Sequence, residues 1–279
     1  MKSFIVFAAV VALAGVAAAQ DAAQITQDGT KITVPLSNPA QPATVKLSMV
    51  RGSITITGSA SQQQVIVESS GGSGLTRGRR NRETTPPPGM HRIDMGDNSE
   101  VVEDHNVVTI KPGLGGREHI DIQVPATTNL EIKAVDCGGI DVTGVTGDID
   151  VECTNGSLDL RNVSGSVVAH TLNGSINVVM DKVAEDKAMS FTSLNGKVEV
   201  TLPADTKARL RIKTNNGAVF TDFDVEMEKD SSKPVVEDGR GQGGKYRIRM
   251  DRGVYGTING GGPEYLFQTM NGEILIHKK

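Results

Sequence analysis

The chain of 279 residues has no tryptophan, three tyrosines and six phenylalanines. So few rings exclude the stacking platforms on which single-stranded nucleic acids and sugars are held. An excess of one charge is missing as well. The 29 basic and 33 acidic side chains leave a net charge of −4, and no electrostatic footprint for DNA, RNA or an anionic membrane covers the whole molecule. Cysteine occurs twice, and long apolar runs are confined to the N-terminus.

What the N-terminus does carry has the layout of an export signal. Lys2 precedes an apolar run over residues 4–16 and then Ala17, Ala18 and Ala19, the order of charged region, hydrophobic region and small-residue cleavage site. Cleavage is expected after Ala19. The run is shorter than the ~20 residues that cross a bilayer, and no second one follows, so the sequence predicts an exported chain with no transmembrane segment once the signal is gone. It is expected in the periplasm, at the cell surface or secreted.

Glycine is abundant, with 32 residues, and its placement sets the fold. Five segments align on an Asn-Gly pair: Cys153-Thr-Asn-Gly-Ser-Leu-Asp-Leu160, Thr171-Leu-Asn-Gly-Ser-Ile-Asn-Val178, Ser193-Leu-Asn-Gly-Lys-Val-Glu-Val200, Thr214-Asn-Asn-Gly-Ala-Val-Phe-Thr221 and Thr269-Met-Asn-Gly-Glu-Ile-Leu-Ile276. The pairs Asn155-Gly156, Asn173-Gly174, Asn195-Gly196, Asn216-Gly217 and Asn271-Gly272 are read as structural turns, at intervals of 18, 22, 21 and 55 residues. A period near 20 marks a solenoid. Glycines at 147, 156, 165 and 174 add a half-period of nine, so each coil is expected to hold two short strands and two turns. Leu158 and Leu160, Ile176 and Val178, and Val198 and Val200 alternate toward one interior face. Asn and Gly are expected at the corners because they accept positive φ. The small residues Cys153, Thr171, Ser193, Thr214 and Thr269 form a column able to bond backbone there.

These features predict an all-β, single-stranded β-helix, a β-solenoid of about 18–22 residues per coil. An antiparallel hairpin reading of Asn-Gly is disfavoured because the register repeats from turn to turn. A second echo relates Val124-Pro-Ala-Thr-Thr128 to Leu202-Pro-Ala-Asp-Thr206, with a fainter copy at Val34-Pro35. Residues 1–19 are assigned to the signal, 20–43 to an N-terminal extension and 44–279 to the solenoid. Loop insertions are placed at about 69–100 and 228–244, and a short helical excursion over residues 181–187.

On these Thr-x-Asn-Gly-x-Ile/Val units, and on Gly256-Thr-Ile-Asn-Gly-Gly-Gly-Pro263 before Thr269-Met-Asn-Gly-Glu-Ile274, the chain resembles the bacterial "putative adhesin" family of β-strand-repeat proteins, known largely as a domain of unknown function. The resemblance covers roughly residues 44–278. It implies a β-helix, export and an adhesion-like role, and it transfers no catalytic residue. The Arg-rich loop near residue 80 departs from it, and the resemblance does not explain its purpose.

Chemistry-bearing residues are sparse. Arg77, Arg79, Arg80 and Arg82 suit an anionic surface polymer, since guanidinium pairs with phosphate; a solvated insertion is the plainer reading. Asp141, Asp159, Asn177 and Glu199 are expected in one outward column beside Asp148, Asp150 and Glu152, where like charges repel and calcium would relieve them. The turn lacks the aspartate that calcium-binding β-rolls use, however. His91, His105, His119, His170 and His277 show no metal spacing. Residues 239–244 match GxGxxG by chance, without a βαβ unit. No nucleophile elbow occurs. Asp148 and Asp150 are the one pair that a polysaccharide-active β-helix enzyme would use. Flat strand spacings put Cys137 and Cys153 roughly 8 Å apart, beyond the ~7 Å reach of a disulfide, so two buried thiols are expected.

The function expected is therefore an exported, non-enzymatic, adhesin-like or envelope-associated scaffold without cofactors. Its partner would be a surface polymer or envelope protein, with no nucleic acid and no strong oligomer signal. The alternatives are a polysaccharide-active enzyme and a calcium-stabilised roll.

Overall fold

The computed structural model describes residues 24–25, 31–70, 99–113, 118–228, 235–238, 246–249 and 253–279. Every regular element among them is a β-strand, and twenty of the strands join in one sheet. The alternation in sequence dictates the local structure. In β9 (Ile149–Asn155) the residues Ile149, Val151 and Cys153 face inward, and in β10 (Leu158–Gly165) Leu158, Leu160 and Val163 do. The chain bends between them at Gly156, so two strands make one rung with two faces.

Rungs stack in parallel register. Asn155 of β9 lies opposite Asn173 of β11 (Val167–Asn173), and Asn173 lies opposite Asn195 of β13 (Met189–Asn195). On the other face β12 (Ile176–Val183) pairs with β10, and β14 (Val198–Leu202) with β12. Neighbouring segments run the same way, unlike a hairpin meander. One core column reads Ile54, Ile140, Leu158, Ile176, Val198 and Ile274, each at most 1% exposed. Burying each such side chain contributes about 2 kcal/mol, and an isolated rung could not supply that cover.

The chain order of the rungs breaks at both ends. The last rung, β21 (Glu264–Asn271) with β22 (Ile274–Lys278), lies between β13 and β14 on one side and β15 (Ala208–Asn216) and β16 (Val219–Thr221) on the other. The intervals of 21 and 55 residues therefore do not separate neighbours; Asn271 sits between Asn195 and Asn216. At the opposite end β3 (Thr44–Ser59) lies between β8 (Asn129–Thr143) and the rung of β6 (Val107–Lys111) and β7 (Glu118–Pro125). The echo in sequence marks the two crossovers. Thr128 N–H closes on Pro125 O at 3.1 Å where the chain steps over β3, and Thr206 N–H closes on Pro203 O at 3.1 Å where it steps over the last rung.

Antiparallel strands cover the stack ends. β5 (Glu100–Asp104) pairs with β6; β4 (Gln64–Ser70) pairs with β7, β2 (Lys31–Pro35) with β4, and β1 (Gln24–Ile25) with β2. At the other end β20 (Val254–Ile258) covers β15, and β17 (Glu226–Met227) pairs with β20. Each insertion thus leaves and returns on a capping strand, the first from β4 to β5 and the second from β17 to β20. Within the 228–244 segment lies β18 (Val235–Asp238), which pairs with β19 (Tyr246–Arg249) just beyond it. The expected helical excursion is absent: β12 runs through Val183 and a turn follows. The step from β12 to β13 is long because residues 184–188 fill it, whereas Ser166 alone joins β10 to β11.

The two thiols expected from the register are joined instead. Cys137 and Cys153 form a disulfide with Cα atoms 6.6 Å apart. Flat spacings overestimate the distance because Cys137 sits at the corner, packed directly against Gly156. The bridge substitutes for a recurring hydrogen bond. Thr171 Oγ1 donates to Gly156 O at 2.9 Å, Ser193 Oγ to Gly174 O at 2.9 Å, Thr269 Oγ1 to Gly196 O at 3.0 Å and Thr214 Oγ1 to Gly272 O at 3.2 Å. Asp136 lies opposite Asn155, which gives Cys137 the position of Gly156 in its own rung, and Cys153 reaches it covalently. Removing the bridge with Cys137→Ala and Cys153→Ala releases a loop of 16 residues and is expected to cost about 3 kcal/mol. Pairing Cys137→Ala with Cys153→Thr restores the hydroxyl step and should regain about 1 kcal/mol. Urea unfolding of both variants checks this, and equal stabilities would count against it.

Candidate interaction surface

Each corner reads Thr, Ser or Cys, then x-Asn-Gly, and each position has a separate task. The Asn side chains form a continuous amide ladder on the outside. Asn173 Nδ2 donates to Asn155 Oδ1 at 2.8 Å, Asn195 to Asn173 at 2.8 Å, Asn271 to Asn195 at 2.7 Å and Asn216 to Asn271 at 2.8 Å. The glycines answer a steric demand more than a conformational one. Only Gly156 of the five has positive φ, and none of the five asparagines does. A Cβ on Gly174 would lie 2.1 Å from Gly156 O, and one on Gly196 would lie 2.0 Å from Gly174 O. The expectation that positive φ selects these residues is thereby corrected: carbonyl approach selects Gly, and the side-chain ladder selects Asn.

The variable position x points outward. Leu172, Leu194 and Met270 stand between register-matched neighbours, and Val135 and Val50 hold the same place farther along. These five are 37–50% exposed. Thr154 and Asn215 complete the column. The result is an apolar ridge beside the amide ladder, a relief suited to lying against another surface rather than enclosing a small molecule. Sequence reasoning passed over it, although Leu, Leu and Met in three of the five units were its signal.

The outward acidic column lies in register: Asp141 opposite Asp159, Asp159 opposite Asn177, and Asn177 opposite Glu199. Two of its three carboxylates are met by protein cations. Arg161 pairs with Asp159, and Lys197 lies 2.5 Å from Glu199. His277 on the intercalated last rung places Nε2 3.1 Å from Glu199 Oε1 and Nδ1 3.2 Å from Asp222 Oδ2. On the adjoining strand Glu152 pairs with Lys133 at 3.9 Å. Asp150 lies opposite Glu131, whose carboxylate is 2.7 Å from Lys46. Asp148 accepts from Lys187 Nζ at 2.7 Å and from the Ser166 hydroxyl at 2.7 Å. Those bonds, Lys187 first, hold its carboxyl below the usual aspartate range against the opposing effect of partial burial. Lys197 does the same for Glu199.

His105 pairs with Asp104, and His119 lies 3.3 Å from Asp121 and 2.7 Å from the Ser53 hydroxyl. Among the described residues no group of three or more His, Cys, Asp or Glu could hold a metal ion, and no helix is long and apolar enough to cross a membrane. Arg77, Arg79, Arg80, Arg82, His91 and the 239–244 match lie outside the described residues.

A family model described as Toastrack DUF4097 matches residues 5–259. The chain belongs to that family. A crystal structure of a "putative cell adhesion protein" from Clostridium sporogenes is similar at 13% identity over 89% of this Toastrack chain and 99% of that one, with a TM-score of 0.43. No curated protein matches.

In this Toastrack chain the Asp148 contact gives stability a definite pH dependence. Its folded pKa is lowered, so the contribution is present above the unfolded value of about 3.9 and is lost as pH falls through the lower folded value. Both partners are half exposed, and solvent and salt weaken the pair. Urea melts at stepped pH should show a shallower acid loss for Asp148→Asn than for wild type; parallel curves would argue against the contact.

Proposed function

We propose that this Toastrack chain is an exported, non-enzymatic interaction protein of the adhesin-like or envelope-scaffold kind. Its central rungs wind as a β-solenoid of 18–22 residues per coil, and it acts in the periplasm, at the cell surface or as a secreted protein. The observation that carries the reading is the apolar ridge of Val50, Val135, Leu172, Leu194 and Met270, exposed along the corner of a rigid stack. Large apolar side chains repeated in line on a surface mark a contact with another macromolecule. Family membership supports it, as does the export-type N-terminus in the sequence.

The polysaccharide-enzyme alternative needs a carboxylic acid kept protonated near neutral pH. Asp148 is shifted the other way by Lys187 and Ser166. Calcium has less to neutralise where Arg161, Lys197, Lys133 and Lys187 already face the outward carboxylates. For the Arg-rich loop we propose contact with an anionic surface polymer through Arg77, Arg79, Arg80 and Arg82.

The test is binding of the purified chain to isolated bacterial envelope. Retention should survive Asp148→Ala and Asp150→Ala, and should fall several-fold with Leu172→Asp and Leu194→Asp together while the melting curve is kept. Deleting residues 75–88 should lower retention on polymer-bearing envelopes alone. Glycan turnover that disappears with Asp148→Ala would overturn the reading in favour of the enzyme.

A further inference from the structure

The five corner Asn-Gly pairs share one sequence but not one environment. In four of them the glycine N–H is spent on the next rung: Gly156 N donates to Asn173 O at 2.9 Å, Gly174 N to Asn195 O at 3.0 Å, Gly196 N to Asn271 O at 3.0 Å and Gly272 N to Asn216 O at 3.0 Å. Asn216-Gly217 belongs to the outermost rung on that side. Gly217 N–H meets no acceptor among the described residues, and Gly217 is the one exposed glycine of the five. Asn216 ends the amide ladder, donating through Nδ2 to Asn271 while its own Oδ1 accepts from no described residue.

From this contrast we infer that Asn216 is a site of spontaneous deamidation in the folded protein. The reaction needs a backbone amide that base can deprotonate and an adjoining residue without a side chain to obstruct the approach. Hydroxide removes the Gly217 amide proton. The nitrogen attacks Asn216 Cγ, a C–N bond forms, the Cγ–Nδ2 bond breaks, and Nδ2 takes a proton from water and leaves as ammonia, regenerating hydroxide. Water then opens the cyclic imide at either carbonyl, leaving aspartate or isoaspartate, with no change of oxidation state. At the other four corners the attacking N–H is shielded inside a hydrogen bond and must first be freed by local opening, as in amide hydrogen exchange.

The product alters the end of the stack. Aspartate at 216 lacks the amide donor to Asn271, and isoaspartate lengthens the main chain by one methylene within a strand whose register is fixed by Thr214 and Asn216. Modification therefore loosens β15 and β16 from the last rung. A sixth Asn-Gly pair, Asn259-Gly260, is exposed too, but Asn259 Nδ2 donates to two backbone carbonyls, Ala204 O at 3.0 Å and Thr206 O at 2.7 Å, whereas Asn216 Nδ2 makes a single bond, to the Asn271 side chain.

The experiment keeps the folded full chain in warm, mildly alkaline buffer and follows each Asn-Gly peptide by mass spectrometry for conversion of amide to acid, with isoaspartate assayed separately. A urea-denatured sample runs in parallel. In the folded protein Asn216 should convert at least about tenfold faster than Asn173 and Asn195, the factor that corresponds to about 1.4 kcal/mol of local opening. In urea the five corner sites should converge. Folded-state conversion at Asn216 no faster than at Asn173 and Asn195, or led by Asn259, would overturn the inference.

Discussion

At four of the five corners the glycine carbonyl oxygen stands where the next rung's glycine would carry a side chain. It packs against that glycine and accepts the hydroxyl two residues before the neighbouring Asn: Gly156 O faces Gly174 and takes Thr171, and Gly174 O faces Gly196 and takes Ser193. Rungs can therefore meet only at hydrogen-bonding distance and in one register. A slip of one residue would turn every aliphatic outward, so this corner also sets the core. The amide ladder outside and the aliphatic columns inside follow from it, as does the outward column at position x, where Val50, Val135, Leu172, Leu194 and Met270 stand with Thr154 and Asn215.

Placing both outer segments of the chain within the stack changes what holds the fold together. The rung of β3 and the rung of β21 and β22 each wedge between strands that a short turn would otherwise make neighbours. Contacts are accordingly long in sequence; Asn271 Nδ2 bonds Asn195 across 76 residues. Loop closure of this length carries an entropic cost before any pairing is gained. The buried Phe191 and Phe267 rings, stacked with centroids 5.2 Å apart, lock β21 onto β13. Tyr265 on the same strand is fully buried, and burial pushes its phenol up to about 12. Residues near the C-terminus are thus central to the packing.

Much of this was legible because the side-chain period of a strand is two and the corner is stereotyped. Leu158, Ile176 and Val198 announced their face, and Asp141, Asp159, Asn177 and Glu199 their shared column. The order of the rungs was not legible, since the Asn271 unit matches any neighbour equally well; the Pro125 and Pro203 turns that skip a rung show only that something recurs. The Cys137–Cys153 bridge escaped because strand spacings do not describe a corner. Positive φ was the wrong reason for Asn-Gly because a close approach between rungs leaves no trace in one unit read alone. The partners of the outward carboxylates were equally invisible. Lys187, which holds Asp148, is 39 residues away from it.

The corner contact can be measured directly by giving glycine a methyl group. Gly196→Ala puts a Cβ 2.0 Å from Gly174 O, while Gly138→Ala, one position past Cys137, meets nothing closer than 3.7 Å. Urea unfolding should show a loss of about 3 kcal/mol for Gly196→Ala and less than about 1 kcal/mol for Gly138→Ala. Equal tolerance of both changes would contradict the claim that rung-to-rung approach at the corner governs the structure.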